Sequence, residues 1–162
     1  AGQLMCLPEI LPMFAPTVNS YKRIGHGDWA PANVTWGFDN RTAAVRVIDG
    51  KMESARIESR VPGADTNAYL ALAAALASGL YGIKQKLKLQ DAPVTGNSYS
   101  SKAIKLPVNL MEATEKMAGS ALARELFGEG FTDHFTRTRE WEWRQFGHQV
   151  TDWELKRYFE II

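Results

Sequence analysis

The hydrophobic period of this chain changes once, at Pro62-Gly63, and that change limits the folds open to it. Before it, apolar residues alternate over short runs broken by turn residues; after it, they recur at helical spacing. Residues 33–38 set Val34, Trp36 and Phe38 on one side of a half-buried strand. Asp39-Asn40 is a turn signal, residues 42–48 supply a second strand closed by Asp49-Gly50, and residues 55–61 supply a third. In the same β-type half, residues 16–21 lead into Lys22-Arg23 and a loop, Gly25-His26-Gly27-Asp28. Beyond Gly63, residues 65–84 carry Leu72, Leu76, Leu80 and Ile83 at helical spacing, and the alanines between them predict close packing against the sheet. Residues 90–107, rich in Pro, Gly, Ser and Asn, read as a long surface loop. Asn109 with Glu112 opens a helix that ends before Gly128, and residues 131–146 form another. On that helix Trp141 and Trp143 lie roughly 200° apart, so one of them meets a neighbour outside the main core. Thr151 with Glu154 caps a last helix carrying Leu155, Phe159 and Ile162. The expected class is α+β, an antiparallel-rich sheet backed by helices.

With 162 residues, 45% of them hydrophobic and 23% charged, the chain makes one ordinary globular domain or part of a larger one. A net charge of +1 offers no electrostatic argument for nucleic acid or a membrane surface, and no apolar run approaches the length of a membrane span. The single cysteine, Cys6, excludes an intrachain disulfide and a cysteine-rich zinc site; it fits a reducing compartment and an inert apolar filler. His26, His134 and His148 have no ligand spacing and read as surface or cap residues, and the tryptophans apart from Trp29 read as mainly packing. The apolar opening, Leu4 to Leu7 and then Ile10-Leu11, reads as the inside of a helix and leads us to expect a truncated polypeptide.

The third strand brings the chemistry. Arg56, Glu58 and Arg60 occupy every second position, so a strand projects all three from one face. Such a row is either a structural ion-pair ladder on a solvated face or a site with a divalent metal for the carboxylate and an anion for the guanidinium groups. Arg23, Arg41 and Arg46 lie upstream and enrich the same half in anion-binding groups.

Several spaced motifs, in order, then resemble the glutamine synthetase family. They are Asn19-Ser20-Tyr21-Lys22-Arg23, Trp29-Ala30-Pro31, Asn40-Arg41-Thr42, Arg46, Arg56-Ile57-Glu58-Ser59-Arg60, the run from Gly63 through Asn67 and Tyr69 to Leu70, and the ending from Val150 to Tyr158. The resemblance covers essentially the whole chain and implies the C-terminal part of a catalytic domain with the glutamine synthetase/guanido kinase-like architecture. It implies an ATP-dependent ligase that phosphorylates the γ-carboxylate of glutamate and lets a nitrogen nucleophile displace the phosphate. By this likeness Arg23 holds the glutamate carboxylate, and Arg41 and Arg46 contact the ATP phosphates, with Arg46 nearest the transferred group. Glu58 ligates Mg²⁺ or Mn²⁺, Arg60 holds the γ-carboxylate or its phosphoryl adduct, and Arg56 lies near the nucleotide. A cytoplasmic homo-oligomer of stacked rings is implied as well.

Trp29 departs from ammonia-using members, which carry a glutamate there to bind and deprotonate ammonium. An indole cannot take up that proton, although its face can meet a cation. Trp29-Ala30-Pro31, with the Asp39-to-Thr42 and Pro62-to-Asp65 runs, is similar to the γ-glutamyl-amine branch typified by γ-glutamylputrescine synthetase; it points to an organic amine as acceptor, with ammonia as the alternative. Ala68 stands where the family has proline, which loosens the helix start slightly. The family's other metal carboxylates, its metal-binding histidine, the glutamate-binding Asn-Gly loop and the small N-terminal β-domain have no counterpart in residues 1–162. Ligase activity from these residues alone is therefore not expected, and an uncovered sheet edge is. The competing functions are a non-catalytic nucleotide-binding or assembly module and, disfavoured by the motif order, a guanidino-group transferase.

Overall fold

The first segment is apolar but cannot stay helical, because Pro8 and Pro12 interrupt it. In the structure, a computed structural model that describes residues 1–24 and 29–161, helix α1 (Gly2–Cys6) gives way to two 3₁₀ turns, Leu7–Glu9 and Leu11–Met13. The loop at Gly25–Asp28, with His26, and the terminal Ile162 lie outside the described residues. The proline-broken segment is the centre of the core: Cys6, Leu7, Ile10, Leu11, Met13 and Phe14 are all buried. Burial pushes the Cys6 thiol up to about 11, in keeping with an inert filler.

Residues 18–23 form helix α2 (Val18–Arg23), which corrects the β-type reading of this stretch. The cause is local: Thr17 Oγ1 accepts from the Ser20 N–H, and Ser20 Oγ accepts from the Thr17 N–H, both at 3.1 Å, a capping box without a glutamate. Three short strands follow: β1 (Trp36–Phe38), β2 (Val45–Ile48) and β3 (Arg56–Ser59), in the order β1-β2-β3. β2 and β3 are antiparallel, pairing Arg46 with Glu58 and Val47 with Ile57, while β1 and β2 run parallel, so the sheet is mixed. Cross-strand partners share a face. One face is apolar (Trp36, Val45, Val47, Ile57) and the other carries Arg46, Arg56 and Glu58 opposite Gly37. From Asn33 through β1 the burial is the reverse of the expected one: Asn33, Thr35 and Gly37 are buried, whereas Phe38 is exposed.

Helix α3 (Ala68–Lys84) starts where Asn67 Oδ1 accepts from the Tyr69 and Leu70 N–H groups. Its buried face is the small one, Ala71, Ala74, Ser78 and Gly82, and it packs on α1 rather than on the sheet. Leu72, Leu76, Leu80 and Ile83 are exposed and line an apolar groove of about 730 Å³ together with the apolar sheet face. The single helix expected up to Gly128 is two, α4 (Leu110–Ala118) and α5 (Ala121–Phe127), because Ser120 Oγ accepts from the Ala123 N–H and starts a new helix. Asn109 caps α4 as expected, but Glu112 reaches back to the Val108 N–H instead of the Asn109 N–H.

Helix α6 (Glu129–Gly147) packs on α4, with Phe135 buried, Trp143 against the core and Trp141 exposed. Helix α7 (Asp152–Tyr158) has the expected Thr151–Glu154 capping box. Trp153 is exposed as well and meets Tyr158 edge-on, so Trp141 and Trp153 lie outside the buried core. His134 and His148 are exposed, the latter as the C-cap of α6. Among the described residues, no helix is long and apolar enough to cross a membrane.

The α1–α3 contact rests on two glycines. A Cβ at Gly82 would sit 2.7 Å from the Gly2 backbone, whereas one at Gly79 would meet only Gln3 Nε2 at 3.9 Å. Gly82→Ala is expected to destabilise by about 1–3 kcal/mol through overpacking. Gly79→Ala should be neutral or stabilise by about 0.5–1 kcal/mol through helix propensity. Urea denaturation of the two variants checks the opposite signs.

Candidate functional site

The β2–β3 register sets Arg46 directly across from Glu58, and the period of two adds Arg56 and Arg60 to the same carboxylate. Arg46 Nη1 donates to Glu58 Oε2 at 3.0 Å, Arg60 Nη1 lies 3.6 Å from the same oxygen, and Arg56 Nη2 lies 3.7 Å from Oε1. The hydrogen bond from Arg46, aided by the charges of Arg46, Arg56 and Arg60, holds the Glu58 carboxyl below its usual range, although desolvation works the other way. The bonds to Asp39 and Glu58 raise Arg46 in turn.

The other expected site residues converge here through the backbone. Arg60 Nε donates to the Arg41 carbonyl at 2.8 Å, and Arg60 Nη2 to the Trp29 carbonyl at 3.4 Å. Trp29 is exposed and has φ +59, a left-handed conformation that side chains other than glycine seldom adopt. Arg23, at the end of α2, donates from Nη2 to the Val61 carbonyl, next to Arg60. Gly63 keeps that corner open, since a Cβ there would lie 3.2 Å from Arg23 Nη2 and 2.5 Å from Asp65 Oδ1.

Two acidic residues absent from the expected set complete the frame. Asp65 Oδ2 accepts from Thr17 Oγ1 at 2.7 Å and Ser20 Oγ at 2.6 Å, tying the start of the Arg23 helix to the loop after Arg60. Desolvation pushes its carboxyl up, but the Ser20 and Thr17 hydroxyls outweigh this and leave it lowered. Asp39 accepts from Arg46, whose hydrogen bond and charge hold it below the usual carboxylate range. No spacing in the sequence marks Asp65, whose hydroxyl partners lie 45 and 48 residues away, and Asp39 gives only a turn signal.

Beside the arginines lies a recess of about 710 Å³ lined by Trp29, Phe38, Asn40, Arg41, Tyr99 and the 93–97 segment, a volume in the range of small-molecule sites. Glu58, Arg46 and Arg60 are outside its lining. Asn40 holds its wall: Nδ2 donates to the carbonyls of Val94 (2.9 Å) and Gly96 (2.8 Å), while Oδ1 accepts from the Thr42 N–H and Oγ1. Ser98 is buried on Thr42, so the stretch expected as a surface loop is stitched to the site. As a metal centre the cluster is incomplete. Both Glu58 oxygens face arginines, and among the described residues no three His, Cys, Asp or Glu side chains come together as ligands.

A mixed sheet backed by helices carries guanidinium groups that converge beside a recess of small-molecule size, a chemistry suited to anionic groups such as phosphate and carboxylate. The description "Glutamine synthetase, catalytic domain" matches residues 1–158, and the chain belongs to the glutamine synthetase family. It is 54% identical to type-1 glutamine synthetase 2 of Dictyostelium discoideum, over 100% of this chain and 32% of that protein. It is 46% identical to a gamma-glutamylethanolamide synthetase of Streptomyces coelicolor, over 99% of this chain and 34% of that one. A solved GmaS/ADP complex superposes with a TM-score of 0.82 at 30% identity, over 98% of this chain and 38% of that chain. The chain thus spans about a third of the length of the curated relatives it matches.

Asn40→Asp replaces a two-hydrogen donor with an acceptor that faces two carbonyls. It is expected to destabilise by about 1–3 kcal/mol and to speed amide exchange over residues 93–98, both measurable by denaturation and hydrogen-exchange mass spectrometry.

Proposed function

We propose that this chain is the C-terminal part of the catalytic domain of an ATP-dependent carbon–nitrogen ligase that joins the γ-carboxyl of glutamate to an organic amine. The observation that carries the reading is the convergence of Arg46, Arg56 and Arg60 on Glu58, with the Arg41 and Trp29 backbones held by Arg60. In the reaction, a γ-carboxylate oxygen attacks the terminal phosphorus of ATP and ADP leaves. The amine then attacks the acyl carbon, phosphate leaves, and the amine gives up a proton. Negative charge gathers on the transferring group, so fixed guanidinium groups supply the main stabilisation from this chain. Arg46 faces the transferring phosphoryl group, Arg41 and Arg56 the nucleotide, Arg60 the γ-carboxyl and Arg23 the other glutamate carboxylate.

Glu58 would offer a carboxylate oxygen to a divalent ion such as Mg²⁺ or Mn²⁺, but among the described residues it stands without the companion ligands that would hold one. Trp29 stands exposed beside the Arg60 contact, and in this reading its indole meets the incoming nitrogen. An indole offers that amine an apolar wall and a π face instead of a charge, which favours an organic substituent over ammonium. The names of relatives support an amine acceptor: besides the ethanolamide synthetase, a Pseudomonas glutamate–isopropylamine ligase is 44% identical, over 100% of this chain and 36% of its own length. Self-association into rings belongs to the same reading, and the exposed apolar residues Leu155 and Phe159 support it.

The test is ADP release by the encoded protein with glutamate, ATP and either ammonia, ethanolamine, isopropylamine or putrescine. An organic amine is expected to be preferred, and ammonia preferred by a wide margin would refute the acceptor assignment. Residues 1–162 assayed by themselves are expected to give no ADP release above background, since the lone Glu58 builds no phosphoryl-transfer metal site. Measurable turnover by that piece would overturn this.

A further inference from the structure

Arg46 is held from two sides, by Glu58 across the strand pair and by Asp39 in the turn after β1. Asp39 follows β1, and its N–H donates to the Val47 carbonyl at 2.9 Å, which fixes its backbone against β2. There the chain turns through φ +46, a left-handed conformation in which Asp and Asn are the most tolerated residues after glycine. From this turn the carboxylate meets the edge of the Arg46 guanidinium: Nε donates to Oδ1 at 3.0 Å, and Nη2 donates to the same oxygen. On the other side Nη1 donates to Glu58 Oε2 at 3.0 Å. Three of the five N–H groups of the guanidinium are thereby committed, and one hydrogen on each terminal nitrogen is left for a further anion. Glu58 cannot fix the plane by itself, because it is shared with Arg56 and Arg60. Opposite Arg46 on β1 stands Gly37, which has no side chain to brace it.

We propose that Asp39 is a positioning residue: its carboxylate, aimed by the left-handed turn, sets the rotation of the Arg46 guanidinium and so directs the two remaining N–H groups at the transferring phosphoryl group. This rests on the reading above that Arg46 faces that group. A guanidinium turned by Asp39 stabilises the charge that develops during transfer more than it contributes to ground-state nucleotide binding. The signature is therefore in kcat rather than in KM.

Two variants separate the side chain from the turn. Asp39→Asn keeps a residue suited to φ +46 and removes the charge; Asp39→Gly keeps the turn and removes the whole group. In the encoded protein, both are expected to lower kcat by about 10- to 100-fold, with the KM for ATP changed less than twofold and the melting temperature unchanged. In an Arg46→Gln background, the further loss from Asp39→Asn is expected to vanish. Full kcat in Asp39→Asn while Arg46→Gln is inactive overturns the positioning role alone, as does an undiminished loss in the double variant. Full activity in Arg46→Gln overturns the role assigned to Arg46 and the proposal with it. A crystal structure of Asp39→Gly supplies a readout independent of turnover: Arg46 is expected to leave its present orientation, and an unmoved guanidinium overturns the proposal.

Discussion

The antiparallel register of β2 against β3 is the constraint on which the charged face depends. It puts Arg46 across from Glu58, and the alternation of strand side chains adds Arg56 and Arg60 to the same side. A slip by one residue would turn the arginines to the apolar face and bring Val47 and Ile57 to the charged one. The ion pairs themselves add little to folding, since partly solvated pairs are screened and cost side-chain entropy. Their arrangement leaves three guanidinium groups gathered around one carboxylate, an excess of positive charge over Glu58.

Stability comes from elsewhere. The end of α1 and the proline-broken segment after it bury Cys6, Ile10, Leu11 and Met13 against α4 and α3, and the small face of α3 lets α1 approach until Gly2 meets Gly82. Around this core, polar side chains fasten loops that carry site residues. Asn40, Thr42 and Ser98 tie the 93–98 stretch to the turn after β1, and Asp65 ties α2 to the loop after β3. Asn40, Thr42 and Ser98 are satisfied by backbone or hydroxyl partners, which is why they can sit partly or fully buried.

Much of the fold was legible because the signals were local. The capping box at Thr151–Glu154, the Asn109 cap, the β2 and β3 strands and the one-sided Arg56-Glu58-Arg60 row depend on neighbours within a few residues. Misreadings had local and non-local causes. Thr17 with Ser20 makes a capping box that lacks the usual glutamate, so α2 was read as β-type. The alanines of α3 read as packing against the sheet, yet the helix turns this small face to α1, which can approach only a small-residue surface. Asp39 and Asp65 gave no period or spacing to detect, since their partners are Arg46 across the turn and hydroxyls 45 and 48 residues away.

The sequence by itself determined the α+β class, the family and the one-sided row Arg56, Glu58 and Arg60, because order and spacing of motifs survive without coordinates. Tertiary structure decided which side chains share a carboxylate, that Arg60 holds the Arg41 and Trp29 backbones, and that Asp39 braces Arg46. It also left Leu72, Leu76, Leu80 and Ile83 outside the core. Those outcomes depend on the pairing register, on a left-handed turn and on how closely two glycines let helices meet. All three are set by distances between segments remote in the chain, which a one-dimensional pattern does not encode.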